Sequence, residues 1–293
     1  MDLQFLELRR CPSCRSESRR KKCKIKESTL YQCRDCRLKY LDPCLGPEAM
    51  KQIYESDQSL LEMHDFHEGY YDYGDLRTRS KTLKDFKRGL SLLEKRLSRK
   101  GKILDVGFGN GFFLAAAQEA GWEVRGIDPS AMNCETAKKK FGLDLERGSL
   151  EEFSPSELFD AISFWDVLEH LPDPSQVLQK ARALLKPEGV LMIGIPNDRS
   201  LLTALASLLG RLGMRKPIRK IYFLEHVCYY SLPSLTFLLE RNGFLLKDHF
   251  MTSTDLAKYK LSVHGGLAAL AILMAGRVLW LQNRLVAVFQ KSS

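Results

Sequence analysis

One segment near the middle of the chain restricts the fold more than any other. Residues 103–114 read ILDVGFGNGFFL, a short apolar run, a glycine-rich turn and the beginning of a helix. Gly107, Gly109 and Gly111 permit a tight turn and a close approach of the backbone to a ligand. Their G-x-G-x-G spacing differs from the G-x-G-x-x-G fingerprint of dinucleotide-binding proteins, which disfavours a nicotinamide dehydrogenase. Asp105 directly precedes the turn and favours a cationic ligand, such as an amino-acid ammonium group; the alternative is a tight turn with packing glycines only.

Strand-like and helix-like segments alternate along this part of the chain. Short β-rich runs occupy residues 102–106, 123–127, 159–164 and 189–195, and helical stretches occupy residues 112–120, 131–141 and 175–185. Such alternation predicts a doubly wound α/β fold around a parallel sheet. Further runs at 245–250 and 285–290 bring these runs to six. We expect a seven-stranded sheet whose third strand lies just before residues 147–153 and whose last strand is antiparallel.

Acidic residues follow the predicted strands, at the edge where a parallel sheet binds ligands. Asp128 ends the second strand, where a carboxylate can accept hydrogen bonds from ribose hydroxyls. A later strand runs into Asp166, Glu169 and His170, and LLKPEGVLMIGIPN (184–197) supplies a helix end, a turn and one more strand. The order and spacing of these segments are more specific than any one of them.

This ordered set resembles the class I S-adenosylmethionine (SAM)-dependent methyltransferases over roughly residues 101–250. The resemblance implies a Rossmann-like sheet and SAM as the cofactor. It assigns to the methionine side of SAM the residues Asp105, Gly107, Gly109, Gly111, Trp165 and Asp166, and to the ribose and adenine the residues Ile127, Asp128, Pro129, Ser149 and Leu150. Members commonly carry an acid near the adenine after the third strand. The matching stretch here, RGSLEEF (147–153), has Ser149 at that point, so the Leu150 backbone is expected to serve instead.

Six of the eight cysteines lie within the first 44 residues. Four of them form two C-x2-C pairs separated by 18 residues, a spacing typical of structural zinc sites; the pairs are Cys11, Cys14, Cys33 and Cys36. Four thiolates close a tetrahedral Zn²⁺ shell and leave no open position for catalysis. The alternative is a set of reduced, metal-free cysteines in a disordered basic tail. Cys23 and Cys44 lack a paired cysteine and are expected to be bystanders.

The cysteine-rich segment, an aromatic linker and the glycine-turn domain predict three parts. These are a zinc-ribbon-like module at 1–45, a linker with N-terminal helices at 46–100, and a SAM-binding domain at 101–293 with insertions at 199–224 and 256–283. The layout resembles a bacterial methyltransferase family with a zinc-binding N-terminal region, and sugar C-methyltransferases have a related layout. The resemblance supports the architecture without identifying the acceptor of the methyl group.

Two Glu–His pairs are candidates for catalysis. Glu169–His170 follows a predicted strand near the methyl donor, and Glu225–His226 lies beside Tyr229 in a later segment. Both pairs are similar to those in ubiquinone-type O-methyltransferases. Histidine titrates near neutral pH and can accept a proton from an acceptor, so we select His170, His226 and Glu169 as candidate catalytic residues. The alternative is that these side chains cap helices or orient loops.

Two apolar insertions have basic, acid-free flanks. The first, at 200–223, follows the fifth strand, and the second, at 261–283, follows the sixth. Topology places both at the ligand edge of the sheet. The twelve uncharged residues 265–276 are too few to span a bilayer and fit an interfacial or a core helix. We expect contact with an anionic membrane surface, and the alternative is a lid that excludes water.

Charge and motifs together define the expected function. The net charge is +9, and residues 1–40 carry +7 of it (twelve Lys/Arg, five Asp/Glu). We expect a SAM-dependent methyltransferase acting on a small-molecule, sugar or lipid-linked acceptor, in the cytoplasm or peripheral to the membrane. One alternative is an RNA methyltransferase that clamps nucleic acid with the ribbon; the Asn/Asp-Pro-Pro-aromatic run of RNA amino-group methylation is absent, so we do not expect nucleic acid. Another alternative, a non-catalytic SAM-fold binding module, is disfavoured by Asp105 and Asp128.

Overall fold

The computed structural model describes residues 4–54, 76–254 and 263–292. Two stretches with sequence-based expectations, residues 55–75 of the linker and 255–262 of the second insertion, lie outside the described residues. The strands are β1 (Phe5–Leu6), β2 (Arg19–Ile25), β3 (Ser28–Cys33), β4 (Lys39–Asp42), β5 (Cys44–Leu45), β6 (Lys102–Val106), β7 (Glu123–Asp128), β8 (Glu146–Arg147), β9 (Phe159–Trp165), β10 (Leu185–Pro196), β11 (Cys228–Tyr229), β12 (Phe244–Thr252) and β13 (Arg284–Lys291). The helices are α1 (Pro47–Tyr54), α2 (Leu76–Glu94), α3 (Phe112–Glu119), α4 (Ala131–Phe141), α5 (Pro174–Leu184), α6 (Leu201–Arg211), α7 (Arg215–Arg219), α8 (Leu232–Arg241) and α9 (Val263–Val278).

A seven-stranded mixed sheet forms the centre of the molecule. Its spatial order is β12-β13-β10-β9-β6-β7-β8. β13 is antiparallel to both of its neighbours, whereas β10, β9, β6, β7 and β8 pair in parallel. The expected doubly wound α/β fold with an antiparallel last strand is therefore confirmed.

Most predicted strands and helices occur within a few residues of their expected bounds. The largest difference is at β10, which begins at Leu185 instead of residue 189 and has an irregular register between Leu185 and Val190. The predicted turn around Gly189 is accommodated inside the strand as this irregularity. Strand pairing continues on both sides of it because Leu185 pairs with Phe159 and Val190 with Ala161.

The strand order places a ligand crevice beside β6. From β6 the chain proceeds outward to β7 and β8, then returns across the sheet to β9 on the other side of β6. Adjacent crossovers therefore leave β6 and β9 in opposite directions. In open α/β sheets the ligand lies at this point, outside the carboxyl ends of the strands.

The N-terminal ribbon shares a sheet with the C-terminal half of the chain. β2, β3 and β4 form an antiparallel meander, and β11 adds a fourth strand by pairing with β4. Leu41 N–H also donates to Val227 O at 2.9 Å. Side chains beside these strands, including Leu38, Tyr40 and Tyr230, belong to the same buried apolar cluster as the central sheet. The ribbon is thus packed on the sheet over a continuous core.

The helices of the two insertions pack against each other. α6 follows β10 and α9 precedes β13, and their ends are joined by a hydrogen bond from Leu201 N–H to Leu281 O at 2.9 Å. Gly276 of α9 lies close to Leu201, since a Cβ on Gly276 would be 3.6 Å from the Leu201 Cβ. Among the described residues, no helix is both long enough and apolar enough to cross a membrane.

The indole of Trp165 depends on a glycine in the neighbouring strand. A Cβ added at Gly194 would overlap the six-membered ring of Trp165, which also packs edge-on against Phe86 with ring centroids 4.9 Å apart. Gly194 O accepts a hydrogen bond from Asp166 N–H at 2.8 Å. Gly194 therefore leaves room for the Trp165 indole, which lies over the neighbouring strand β10.

We expect Gly194→Ala to lower the free energy of unfolding by about 1–3 kcal/mol, because an added methyl group overpacks this part of the core. Denaturant titration measures the change. The matched control is the same substitution in a Trp165→Phe background, where the overlapping ring is smaller. A cost of equal size in both backgrounds would contradict the assigned contact.

Candidate functional site

A cavity of about 970 Å³ lies at the carboxyl ends of the parallel strands. Nearly all residues selected from the sequence for SAM or for catalysis line it: Asp105, Gly107, Gly109, Asp128, Pro129, Ser149, Leu150, Asp166, Glu169, His170 and His226. Gly111 is the exception, since it lies behind the wall at the N-terminus of α3. Segments far apart in sequence are thus brought to one site.

The three glycines of the turn have different neighbours. The φ angles of Gly107, Gly109 and Gly111 are all positive, at 69°, 53° and 79°. Residues with a Cβ disfavour this backbone conformation. A Cβ on Gly107 would be 2.5 Å from Val167 Cγ2, and one on Gly111 would be 2.9 Å from the Ala137 Cβ. A Cβ on Gly109 would meet no atom within 4 Å. Gly107 and Gly111 therefore permit close packing, whereas Gly109 leaves open space for a ligand.

Asp105 is a buried acid beneath the turn. Its carboxylate accepts a hydrogen bond from Ser163 Oγ at 2.7 Å. Burial raises the pKa of Asp105 to about 8, and the nearby Asp128 carboxylate adds to the rise while Ser163 opposes it. A cation bound beside Asp105 would favour the charged form and reverse this shift. Sequence reasoning missed Ser163, which lies in a β-strand with no local signal for this contact.

Asp128 ends β7 and fastens the turn to helix α4. Its Oδ2 accepts from Gly109 N–H at 2.9 Å, and its Oδ1 accepts from Ser130 N–H at 2.9 Å and from Asn133 Nδ2 at 3.0 Å. Burial nevertheless raises its pKa. A carboxylate offers about four lone-pair sites, so these three hydrogen bonds leave capacity for a hydroxyl donor.

The neighbouring wall is formed by the ends of β7 and β8. Gly148 N–H donates to Asp128 O at 3.0 Å, which brings Ser149 and Leu150 to the side of Asp128. Pro129 follows Asp128 on the same wall, and Leu150 is almost fully buried. Pro129 and Leu150 give this part of the cavity apolar surface, and Ser149 adds a polar side chain.

Asp166 is held by an arginine that sequence reasoning missed. Its backbone has a φ of 54°, and both carboxylate oxygens accept from Arg284 Nη2, at 2.7 and 2.8 Å. Arg284 is the first residue of β13. An antiparallel strand that begins at the ligand edge carries its first side chain to that edge, which is the signal that could have identified it.

The candidate catalytic residues meet on the other side of the cavity. His170 lies in a short 3-10 helix over Leu168–His170, and its ring contacts the His226 ring edge-on with centroids 4.7 Å apart. His170 Nδ1 lies 2.8 Å from Glu225 O. A carbonyl oxygen only accepts, so Nδ1 carries the proton and Nε2 of the neutral ring is an acceptor. This bond also ties the 3-10 helix to the segment before β11, which is the loop-orienting role considered above.

Glu169 is buried next to these histidines. It is 1% exposed, and neither carboxylate oxygen has a hydrogen-bond partner among the described residues. Burial, together with the Asp166 carboxylate, raises the pKa of Glu169 well above its usual range. Ligand atoms of Glu169, His170 and His226 lie within 4.8 Å of one another, so the three side chains could also hold a metal ion.

The four selected cysteines form a compact group in the ribbon. The Cys11 and Cys36 sulfurs are 3.5 Å apart, the Cys14 and Cys33 sulfurs are 3.4 Å apart, and all four lie within 4.8 Å of one another. The hydrogen bond with Cys11 lowers the pKa of Cys36 to about 5, with help from the Leu38 N–H. None of the four is in a disulfide.

The two C-x2-C turns repeat the same backbone shape. Arg15 and Arg37, which follow the second cysteine of each pair, have φ angles of 64° and 65°. A left-handed residue at this point turns the next backbone N–H toward the sulfur, and Ser16 N–H lowers the pKa of Cys14 in this manner against the effect of burial. The cluster therefore fits a zinc-ribbon-like region.

A polar network that was not predicted joins the ribbon to the cavity. Lys39 Nζ of β4 contacts Asp198 at 2.8 Å and Tyr222 OH at 2.9 Å, and Tyr222 OH donates to Asp198 Oδ1 at 2.9 Å. Asp198 follows β10 and Tyr222 ends the first insertion. Three regions distant in sequence are thus tied together beside the site.

Comparisons with known proteins agree with this geometry. A family model described as a methyltransferase domain matches residues 77–248. Ubiquinone biosynthesis O-methyltransferases from Actinobacillus pleuropneumoniae serotype 5b and Histophilus somni are 37% and 40% identical over 107 residues. These matches cover 33% of this chain and 46% and 45% of the two relatives, so the chain spans about half the length of the curated relatives it matches.

Solved methyltransferases share the fold over most of the chain. Magnesium protoporphyrin IX methyltransferase from Synechocystis PCC 6803, with bound SAH, has a TM-score of 0.57 at 16% identity and covers 84% of this chain and all of its own. The plantazolicin methyltransferase in complex with SAH has a TM-score of 0.55 at 18% identity, over 84% of this chain and 95% of its own. Because the methyltransferase-domain model matches more than half of the residues, the chain belongs to the class I SAM-dependent methyltransferases.

Proposed function

We propose that this protein transfers the methyl group of SAM to a small-molecule, sugar or lipid-linked acceptor. The observation that carries the proposal is the pair of buried carboxylates, Asp105 and Asp128, on either side of a glycine turn whose central residue, Gly109, has open space above it. Acids in that arrangement match a ligand with both an ammonium group and ribose hydroxyls.

The cavity residues fit SAM from end to end. Asp105 would meet the ammonium group, Gly109 would let the ligand approach the backbone, and Asp128 would accept from the ribose. Pro129 and Leu150 supply apolar walls for the adenine, with the Leu150 backbone in place of the missing acid. When bound, SAM supplies an electrophilic methyl group on its sulfonium.

On the acceptor side, we assign proton removal to the two histidines. His170 is oriented by Glu225 O, so its Nε2 can accept the proton of an acceptor hydroxyl, and His226 packs against it. Glu169 is buried and favours its neutral form. Orientation of the acceptor supplies much of the rate of methyl transfer. The curated relatives are named as O-methyltransferases, and this name agrees with a hydroxyl acceptor.

The ribbon cysteines fit a structural zinc ion. A tetrahedral ion with Zn–S bonds of about 2.3 Å separates its sulfurs by about 3.8 Å, and the observed separations are 3.4 and 3.5 Å within the two closest pairs. Cys11, Cys14, Cys33 and Cys36 would hold the ion. The ribbon at 1–45 and the catalytic domain at 101–293, with its insertions 199–224 and 256–283, are proposed as the functional parts. Leu202, Ile221 and Phe223 of the first insertion contribute to the cavity wall.

We expect Asp128→Ala to weaken SAM affinity by about 10- to 100-fold, because a hydrogen bond to a charged group contributes about 1.5–3 kcal/mol. Isothermal calorimetry measures the affinity. Asn133→Ala is the matched control, since it removes one donor to Asp128 and leaves the carboxylate; a change of only about threefold is expected. Unchanged affinity in Asp128→Ala would show that Asp128 does not bind the cofactor.

SAM binding at pH 7 is expected to release about one proton from Asp105. The pKa of about 8 keeps this acid largely protonated in the free protein, and the ammonium group favours its charged form. Affinity therefore rises as pH increases toward 8. Calorimetry in two buffers of different ionisation enthalpy counts the proton. Asp105→Asn should release none, and a wild-type heat independent of buffer would contradict the assignment.

The protein purified without chelator is expected to contain about one zinc ion per chain. Elemental analysis should show that Cys33→Ser loses this zinc, because three thiolates no longer close the shell. Cys23→Ser is the control and should keep it, since Cys23 lies outside the cluster. Full zinc content in Cys33→Ser would overturn the four-thiolate site.

A further inference from the structure

Helix α9 turns an apolar stripe toward solvent. Leu267, Leu270, Met274 and Val278 are 62%, 48%, 63% and 78% exposed, and their spacing places them on one face of the helix. Leu273 and Gly276 lie on the buried face. A helix of a soluble domain normally turns such a stripe toward the core. The exposed stripe of α9 is therefore suited to contact with an apolar partner outside the chain.

Large exposed apolar side chains also occur next to the stripe in sequence and on the packed helix α6. Leu279 and Trp280 follow α9 and are 57% and 79% exposed. On the partner helix α6 and its end, the exposed apolar side chains are Leu208, Leu212 and Met214. We call this set, from Leu208 to Trp280, the lid face. Scattered exposed leucines are ordinary, but nine large apolar side chains on two packed helices are a patch.

The described parts of the two insertions, which carry the lid face, contain basic residues and no acid. Residues 199–224 and 263–283 together contain seven Lys or Arg and no Asp or Glu. Arg211 ends α6, and Lys216 is exposed in α7. No negative side chain of these insertions offsets the field that their bases create.

The ribbon adds more positive charge next to α6. Lys22 of β2 lines a small pocket together with Leu208 and Arg211. Partial burial lowers the pKa of Lys22, and the nearby charges of Lys39, Arg20 and Arg211 lower it further. The basic strand of the ribbon and the apolar end of α6 therefore belong to one face of the molecule.

From this juxtaposition we propose that the lid face, with the ribbon strand beside it, docks on an anionic lipid bilayer. Apolar side chains would enter the boundary between headgroups and acyl chains, with Trp280 at the interface, where tryptophan is enriched. The bases would contact anionic headgroups. α9 has 16 residues, about 24 Å of helix, which is short of the bilayer core, so it lies in the plane of the membrane.

Charge separates this partner from the alternatives. A second copy of the chain would bring two acid-free, basic surfaces together, which is unfavourable. A nucleic acid would use the bases but would leave the exposed leucines, methionines and Trp280 without a role. An anionic bilayer satisfies both the positive charge and the apolar side chains.

Docking would place the mouth of the cavity against the bilayer. Leu202, Lys220, Ile221 and Phe223 of the first insertion line the cavity, so the same segment faces both the site and the lipid. An acceptor held in the membrane could then enter without crossing water. This consequence rests on the proposed methyl transfer, whereas the docking itself does not.

Vesicle co-sedimentation without SAM or acceptor tests the docking. The probes are phosphatidylcholine vesicles and vesicles of phosphatidylcholine with phosphatidylglycerol in equal parts. Wild type should pellet with the anionic vesicles in low salt, and less so in high salt because the Debye length shortens. Arg211→Glu with Lys216→Glu should reduce partitioning by about tenfold or more, and Met274→Ser with Trp280→Ser by about fivefold or more.

The control carries the same charge change at the opposite edge of the sheet. Lys95 follows α2 and Lys247 lies near the start of β12, so Lys95→Glu with Lys247→Glu should bind anionic vesicles as wild type does, within about twofold. SAM binding by every variant shows that it is folded. Failure of the wild type to pellet, or an equal loss in the control pair, would overturn the proposal. A dimer in solution that Met274→Ser with Trp280→Ser converts to a monomer would assign the lid face to a second copy instead.

Discussion

The cofactor side of the site depends on one buried carboxylate. Asp128 accepts hydrogen bonds from Gly109 in the glycine turn, from Ser130 at the N-cap of α4 and from Asn133 in the first turn of that helix. Burying a carboxylate is costly unless such donors replace water. The three donors offset that cost and at the same time hold the turn and the helix at a defined separation. Asp128 thereby holds in place the glycine turn and the start of α4, which border the open space beside Gly109.

The fold and the cofactor side could be predicted because their signals are local. The periodicity of apolar residues predicts strands and helices, and the spacing of glycines after a strand predicts a glycine turn. Parallel strands bring their carboxyl ends to one edge, so Asp105, Asp128 and Asp166 could be placed together without knowledge of any contact. The roles given to these residues in SAM binding and catalysis remain proposals.

The parts that could not be predicted are pairings between distant segments. Arg284 holds Asp166 across 118 positions, and Lys39 meets Asp198 across 159. A single basic residue in a strand carries no pattern that names its partner. The meeting of His170 with His226 is of the same kind, since the two rings come from separate segments after different strands. The order of strands in the sequence predicts which edge of the sheet a residue reaches, but it does not predict which side chain that residue contacts there.

The pairing of β4 with β11 restricts how a chain of this kind can evolve. Tyr40 is in register with Cys228, and Lys39 with Tyr229, while His226 lies two positions before that register begins. Recombination that exchanged the ribbon for another would have to preserve the backbone register of this two-residue strand, or the histidine would be displaced. The N-terminal module therefore helps to position His226, which we propose as a catalytic residue. A change in the ribbon can therefore disturb a site that lies 190 positions further along the chain, the separation of Lys39 from its strand partner Tyr229.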